Sequence, residues 1–125
     1  MYLRFFIGVD LGTSAMKLLL MDAQGAIRNT VTKDYPLEFP QPGWSQQNPE
    51  DWKKALFEGL PELLKGFDAS CVAGIGCGGQ MHGLVVLDEN DHVIRPAILW
   101  NDGRTAKQVD YLNNEIGKDK LSALT

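Results

Sequence analysis

Gly8-Val9-Asp10-Leu11-Gly12-Thr13-Ser14 places an acid, a glycine and two hydroxyls between an apolar run at Phe5–Val9 and a second one, Leu18-Leu19-Leu20-Met21. A turn of that composition can cradle phosphate. Gly12 can take backbone angles that a side chain forbids, so that consecutive N–H groups and the hydroxyls of Thr13 and Ser14 converge on phosphate oxygens. Asp10, at the strand end, can hold a hydrated Mg²⁺ ion. Lys17 interrupts the second run a few residues past the turn, where its ammonium either reaches a phosphate or extends to water. The same residue types build hairpin turns for conformational reasons alone, so composition leaves both readings open.

Three further places carry chemistry. Gly74-Ile75-Gly76-Cys77-Gly78-Gly79 satisfies the spacing of a dinucleotide-binding turn, but Gln80-Met81-His82-Gly83 and then Leu84-Val85-Val86-Leu87 follow it. The helix N-terminus that would hold a pyrophosphate is therefore missing, and these glycines are expected where chain or ligand approaches closely. His82 sits beside glycines, where its ring can meet a polar ligand or serve structure. Trp100-Asn101-Asp102 joins a flat apolar face to two hydrogen-bonding side chains, suited to a sugar, although Asp102 can equally cap the next helix. His92 lies in a polar turn and is expected to be solvated.

These residues need elements to hold them. Phe5–Val9, Lys17–Met21 and Ala26–Thr32 read as three antiparallel strands, the last two joined by the turn Asp22-Ala23-Gln24-Gly25. Pro36, Pro40, Pro42 and Gly43 mark an irregular stretch. Asn48-Pro49-Glu50-Asp51 then supplies an N-cap, a first-turn proline and two acids facing the helix dipole. Trp52, Ala55, Leu56, Gly59, Leu60, Leu63 and Leu64 follow at the helical period, with Pro61 expected to kink or shorten the helix and Gly66 to stop it. Cys71–Cys77 reads as a fully buried strand, and Leu84–Leu87 with Val93–Ile94 as a hairpin. Ala97–Trp100 reads as a short buried run, Ala106, Val109, Leu112 and Ile116 as a second amphipathic helix, and Lys118–Thr125 as the opening of a third.

A chain of 125 residues with 44% hydrophobic and 22% charged residues has the composition of one soluble globular unit. Its formal net charge of −4 argues against bulk nucleic-acid or anionic-membrane binding. The apolar run near Met1 is too short for a signal peptide or a membrane span, which predicts a cytoplasmic protein. An extended strand would hold Cys71 and Cys77 ~20 Å apart, so both are expected as buried free thiols.

Four blocks together resemble the FGGY carbohydrate kinases: Gly8–Ser14 with Lys17; Pro42-Gly43-Trp44-Ser45-Gln46-Gln47-Asn48-Pro49-Glu50-Asp51-Trp52; Gly79-Gln80-Met81-His82-Gly83; and Arg95-Pro96-Ala97-Ile98-Leu99-Trp100-Asn101-Asp102-Gly103-Arg104. With their spacing they cover nearly the whole chain. The resemblance implies an α/β fold of the ribonuclease-H-like, actin-like ATPase type, a mixed sheet with flanking helices. It implies that Asp10 organises Mg²⁺ and the transferring phosphoryl group, that Gly12, Thr13, Ser14 and Lys17 serve ATP, and that Met81, His82 and Trp100, with Asn101 and Asp102, serve the sugar. Glycerol kinases look like Arg-Glu where this sequence has Met81-His82, which argues against glycerol.

By that resemblance the reaction is transfer of the ATP γ-phosphoryl group to the 5-hydroxyl of D-xylulose, with L-ribulose or gluconate as alternative substrates. A homodimer is among the expected assemblies of the full-length enzyme, with no nucleic-acid or membrane partner. The family's catalytic base is an aspartate well downstream, and its adenine pocket is built mostly by a second domain. Neither lies within residues 1–125, so the chain is expected to be the N-terminal portion of the first kinase domain and inactive alone. A non-catalytic actin-like nucleotide-binding module is the competing expectation.

Overall fold

The computed structural model describes residues 4–124; the expectations that involve Met1, Tyr2, Leu3 and Thr125 lie outside the described residues. The chain opens with β1 (Phe5–Leu11), β2 (Ala15–Asp22) and β3 (Ile27–Asp34), each antiparallel to the next. Alternation along the pleat sorts their side chains. Phe5, Ile7, Val9, Met16, Leu18, Leu20 and Val31 are buried together, while Asp10 and its cross-strand partner Lys17 stand exposed. The turn between β2 and β3 is closed by the Asp22 carboxylate, which accepts from the N–H groups of Gln24 and Ala26, and Gly25 takes φ +85°.

Next come β4 (Gln46–Gln47), α1 (Pro49–Leu63), β5 (Val72–Gly79) and β6 (Ala97–Ile98). β5 returns parallel to β1, giving a mixed sheet of order β3-β2-β1-β5, and β4 pairs antiparallel with β6. α1 begins where its capping sequence directs: the Asn48 side chain accepts from the Glu50 N–H, and Pro49 occupies the first turn. Its apolar stripe lies on β2 and β3, burying Ala55, Gly59 and Leu63. Each fully buried leucine of this core contributes about 2 kcal/mol of burial free energy. Pro61 falls in the last turn, so α1 runs through it to Leu63; Gly66, at φ +84°, turns the chain away. The Asn29 amide donates to the Leu63 carbonyl at 2.8 Å and satisfies one orphaned helix end.

Several expectations are corrected. The Val72–Gly79 strand is not fully buried: Ile75 is 57% exposed, Cys77 is exposed and Cys71 half-buried. The cause is position, because β5 forms the edge of this sheet and α1 packs over β2 and β3 rather than over it. Both cysteines are free thiols, as expected. The 84–94 segment makes a hairpin-like turn held by an isolated Leu87–Val93 bridge and by the Asp88 carboxylate, without strands. After α2 (Ala106–Tyr111) the chain passes through a π-helical turn at Leu112–Gly117 into α3 (Lys118–Leu124). Thr105 precedes α2 without a side-chain cap, so Asp102 does not cap it. Among the described residues no helix is long and apolar enough to cross a membrane.

Gly59 sets how closely α1 approaches the sheet, since a Cβ there would overlap the Leu18 side chain. Gly76, by contrast, faces open space. Gly59→Ala is expected to cost about 1–3 kcal/mol through overpacking, and Gly76→Ala to leave stability within about 0.5 kcal/mol, both read from urea denaturation midpoints.

Candidate active site

The β1–β2 turn is held by its carbonyls. The Leu11 carbonyl accepts from the Gln80 N–H at 2.8 Å, the Gly12 carbonyl from the Tyr35 hydroxyl, the Thr13 carbonyl from the Gln47 side-chain amide at 2.6 Å, and the Ser14 carbonyl from the Tyr35 N–H at 3.3 Å. In a trans peptide the N–H points opposite to the C=O. Tying the Gly12 and Thr13 carbonyls inward turns the Thr13 and Ser14 N–H groups outward, and among the described residues they donate to nothing. That is the geometry of an anion cradle. Gly12 closes the turn through its own N–H, which donates to the Ala15 carbonyl at 3.0 Å. Burial, with a smaller contribution from the Asp10 charge, pushes the Tyr35 hydroxyl up to about 12, so it remains a donor.

One cleft is lined by the turn, and a second by the strands that lead into and out of it. The first, about 450 Å³, is lined by Gly12 and Thr13 together with Gly79, Gln80, Met81, His82 and Trp100. The other, about 390 Å³, is lined by Gly8, Asp10 and Lys17 on the first hairpin and by Gly76 and Gly78 on β5. Residues expected to serve a sugar thus share a cleft with the turn, and the expected metal ligand and cation share the neighbouring one. Ser14 and Asn101 are exposed and line neither cleft.

The wall carrying Met81 and His82 is clamped at both ends. Gln80 donates from its N–H to the end of β1, and Leu84 donates to the Ile98 carbonyl at 2.9 Å. Between these clamps His82 adopts φ 60°, a left-handed conformation that costs a residue with a side chain about 1–2 kcal/mol. Strain of that kind collects where a side chain must be aimed. Trp100, 59% exposed, donates its indole N–H to the Thr13 hydroxyl at 3.3 Å and leaves its ring face available. Of the glycines ending β5, Gly79 marks a close chain approach, because a Cβ there would lie 2.6 Å from the Leu11 carbonyl, while Gly76 and Gly78 leave open space for a ligand.

Asp102 is committed elsewhere. Its side chain is 1% exposed and grips Arg104 with both oxygens, at 2.7 and 2.8 Å, while also accepting from the Ser45 N–H at 2.6 Å. Arg104 stacks 3.9 Å over Trp44 and donates to Gln46 at 3.1 Å. This pair ties the Trp100 loop to the 44–47 segment. The Arg104 guanidinium, first among the causes, holds the Asp102 carboxyl at about 2.

Gln47, Gln80 and Tyr35 were given no role by the sequence. Gln47 and Gln80 stand inside family blocks, but an amide in a motif carries no charge, strain or periodicity to set it apart. Their importance appears only once four separate segments meet.

Such a mixed sheet, opening on an antiparallel hairpin and with a helix on its face, defines the class: an actin-like ATPase fold of the kind used by sugar kinases. The chain belongs to the FGGY family of carbohydrate kinases, whose N-terminal domain matches residues 5–125. It is 44% identical over 121 residues to the xylulose kinase of Bacillus subtilis (strain 168), covering 95% of this chain and 24% of that protein. The crystal structure of a xyloylose kinase from Brucella ovis superposes with a TM-score of 0.84 at 37% identity, over 90% of this chain and 24% of that one. Gluconate kinase from Lactobacillus acidophilus superposes equally well, with a TM-score of 0.85 at 31% identity, over 90% of this chain and 23% of that one. The chain spans about a quarter of the length of the curated relatives it matches.

Asp102→Asn leaves the buried Arg104 charge without its counterion and is expected to cost about 3 kcal/mol at neutral pH. A carboxyl whose folded value is depressed gives stability that is fully present above its unfolded value and is lost as pH falls through the folded one. The gap in urea midpoint between wild type and Asp102→Asn should therefore be constant above pH 3.8 and narrow as pH falls toward about 2.

Proposed function

We propose that residues 1–125 form the N-terminal portion of the first domain of an ATP-dependent sugar kinase, with D-xylulose as substrate and D-xylulose 5-phosphate as product. The observation that carries this reading is the shared cleft of Gly12 and Thr13 with Met81, His82 and Trp100: the turn that can bind an anion adjoins a wall that can bind a polyol. The names of the relatives favour D-xylulose, since the chain is 40% and 44% identical to two xylulose kinases. Fold alone does not choose the sugar, because a gluconate kinase superposes as well as a xyloylose kinase does. Met81-His82 is the part of the wall that we assign to the ketose.

The outward N–H groups of Thr13 and Ser14 receive phosphate oxygens of ATP, and Lys17 offsets their charge from the neighbouring strand. Asp10 stands as a lone exposed carboxylate; among the described residues no group of three or more His, Cys, Asp or Glu side chains could hold a metal. A single carboxylate suits Mg²⁺, which keeps most of its waters and takes other oxygens from substrate phosphates. Bound there, Mg²⁺ would supply neutralisation of the charge on the transferring phosphoryl group. Trp100 offers its ring face to the carbons of the sugar, and His82 a ring nitrogen to a hydroxyl. Transfer breaks the bond between the β–γ bridging oxygen and the γ phosphorus and forms one from the sugar 5-oxygen to that phosphorus. The 5-hydroxyl proton passes to a carboxylate that we place beyond residue 125.

In the full-length enzyme, ATP-dependent phosphorylation should be fastest with D-xylulose when compared with L-ribulose, gluconate and glycerol. Asp10→Asn should lower kcat by roughly a hundredfold or more, the scale of losing one preorganised electrostatic contact. Residues 1–125 alone should show no turnover with ATP, Mg²⁺ and D-xylulose. A preference for another sugar would refute the substrate assignment, and ATP-dependent assembly without any sugar dependence would favour a non-catalytic module.

A further inference from the structure

Two side-chain amides, the buried Gln47 and the half-buried Gln80, decide where the one proton of the Thr13 hydroxyl goes. Gln47 is fully buried, and one end of its carboxamide faces two backbone carbonyls, Thr13 at 2.6 Å and Pro36 at 3.2 Å. Carbonyls only accept, so the NH₂ must occupy that end. The Gln47 oxygen therefore lies at the other end, where the Trp52 indole N–H, a donor only, meets it at 3.2 Å. The Gln80 side chain approaches the same oxygen at 3.2 Å and must do so with its own NH₂. That orientation leaves the Gln80 carboxamide oxygen 3.3 Å from the Thr13 Oγ1.

A carboxamide oxygen brings no proton to that contact, so the Thr13 hydroxyl supplies it. Its oxygen keeps two lone pairs. One takes the Trp100 indole N–H at 3.3 Å, and the other remains for the cleft that Thr13 lines with Met81, His82 and Trp100. Ionised phosphate oxygens are acceptors and gain nothing from such a group, whereas a sugar hydroxyl can donate to it. Thr13 also lines the cleft of Met81 and His82 rather than the one of Asp10 and Lys17.

We propose that Gln47 and Gln80 are positioning residues that hold the Thr13 hydroxyl as a hydrogen-bond acceptor for a sugar hydroxyl, so that Thr13 serves phosphate through its N–H and sugar through its Oγ1. The proposal rests on the sugar-kinase reading above. It moves the Thr13 side chain from the nucleotide's residues, where the sequence places it, to those of the sugar.

The test uses the full-length enzyme, with KM measured separately for D-xylulose and ATP, and D-xylulose affinity measured without ATP by tryptophan fluorescence. Thr13→Val should weaken D-xylulose by about fivefold in both measures, the scale of one net hydrogen bond, while the KM for ATP stays within about twofold. Thr13→Ser should restore wild-type values, and an unchanged KM for ATP shows that the variants are folded. Gln80→Leu, which frees the Thr13 proton, should lose a similar factor, and the double variant Thr13→Val/Gln80→Leu no more than either alone, because both remove one interaction. A raised KM for ATP with unaltered D-xylulose constants in Thr13→Val would overturn the proposal, as would losses that multiply in the double variant. Wild-type enzyme that neither binds nor phosphorylates D-xylulose, L-ribulose or gluconate would refute the sugar-kinase reading itself, and this inference with it.

Discussion

The carboxamide of Gln47 is the contact on which the site depends. It lies at the meeting point of the β1–β2 turn, the 36–47 segment, α1 and the loop that follows β5, and it makes four hydrogen bonds, two through its nitrogen and two through its oxygen. A buried amide with unmet hydrogen-bonding capacity is costly, and one with all of it met is a rigid joint. Because Gln47 reads the orientation of Gln80, and Gln80 that of Thr13, its position is felt at atoms it does not touch. The cleft of Met81, His82 and Trp100 is consequently built on a turn whose carbonyls are all spoken for.

The fold was legible where local chemistry and periodicity agreed. Asn48-Pro49-Glu50-Asp51 announces a helix start whatever lies around it, and the stripe from Trp52 to Leu64 can be buried only as a helix. The first three strands were readable for the same reason, through turn residues and apolar runs of strand length. β5 was misread because an unbroken small and apolar run reports that a strand is compatible with burial, not that a helix arrives to cover it. Edge position is a property of sheet order, and sheet order does not appear in any window of residues. The 84–94 segment failed differently: its turn is made by the Asp88 side chain and by Asp91 at φ 63°, so it closes without a strand ladder to extend it.

The candidate site's chemistry-bearing residues could be singled out in sequence, and their supports could not. Asp10, Lys17 and His82 stand out because charge within an apolar run and a histidine among glycines each need a reason, and Met81 through the family resemblance; Trp100, expected within a buried run, is instead 59% exposed because its indole reaches out to the Thr13 hydroxyl. Gln47, Gln80 and Tyr35 do not stand out, because their contribution is directional and the direction is set by partners that only the fold brings together. Asp102 shows the converse. Beside Trp100 and Asn101 its carboxylate reads as a ligand for a sugar, yet both oxygens are engaged by Arg104 and one also by the Ser45 N–H. The cation that claims it stands only two residues on, and the long-range Ser45 N–H completes the engagement, so a carboxylate beside an aromatic is not free merely because polar neighbours surround it.

Conformational cost and support are matched around His82. A residue with a side chain persists at φ 60° only where its neighbours over-determine it, and both flanks of the loop are pinned, one to the end of β1 and one to β6. The hydrogen bond that pins the Gln80 end, from its N–H to the Leu11 carbonyl, lands on the last residue of β1, immediately before the turn whose Thr13 and Ser14 N–H groups face outward. The wall of the adjoining cleft is thus anchored on the strand that leads directly into the anion cradle. On the proposed reading, a change in the tilt of the β1–β2 turn would displace the phosphate site and the sugar wall together, preserving the distance between reacting atoms where independently mobile loops would not.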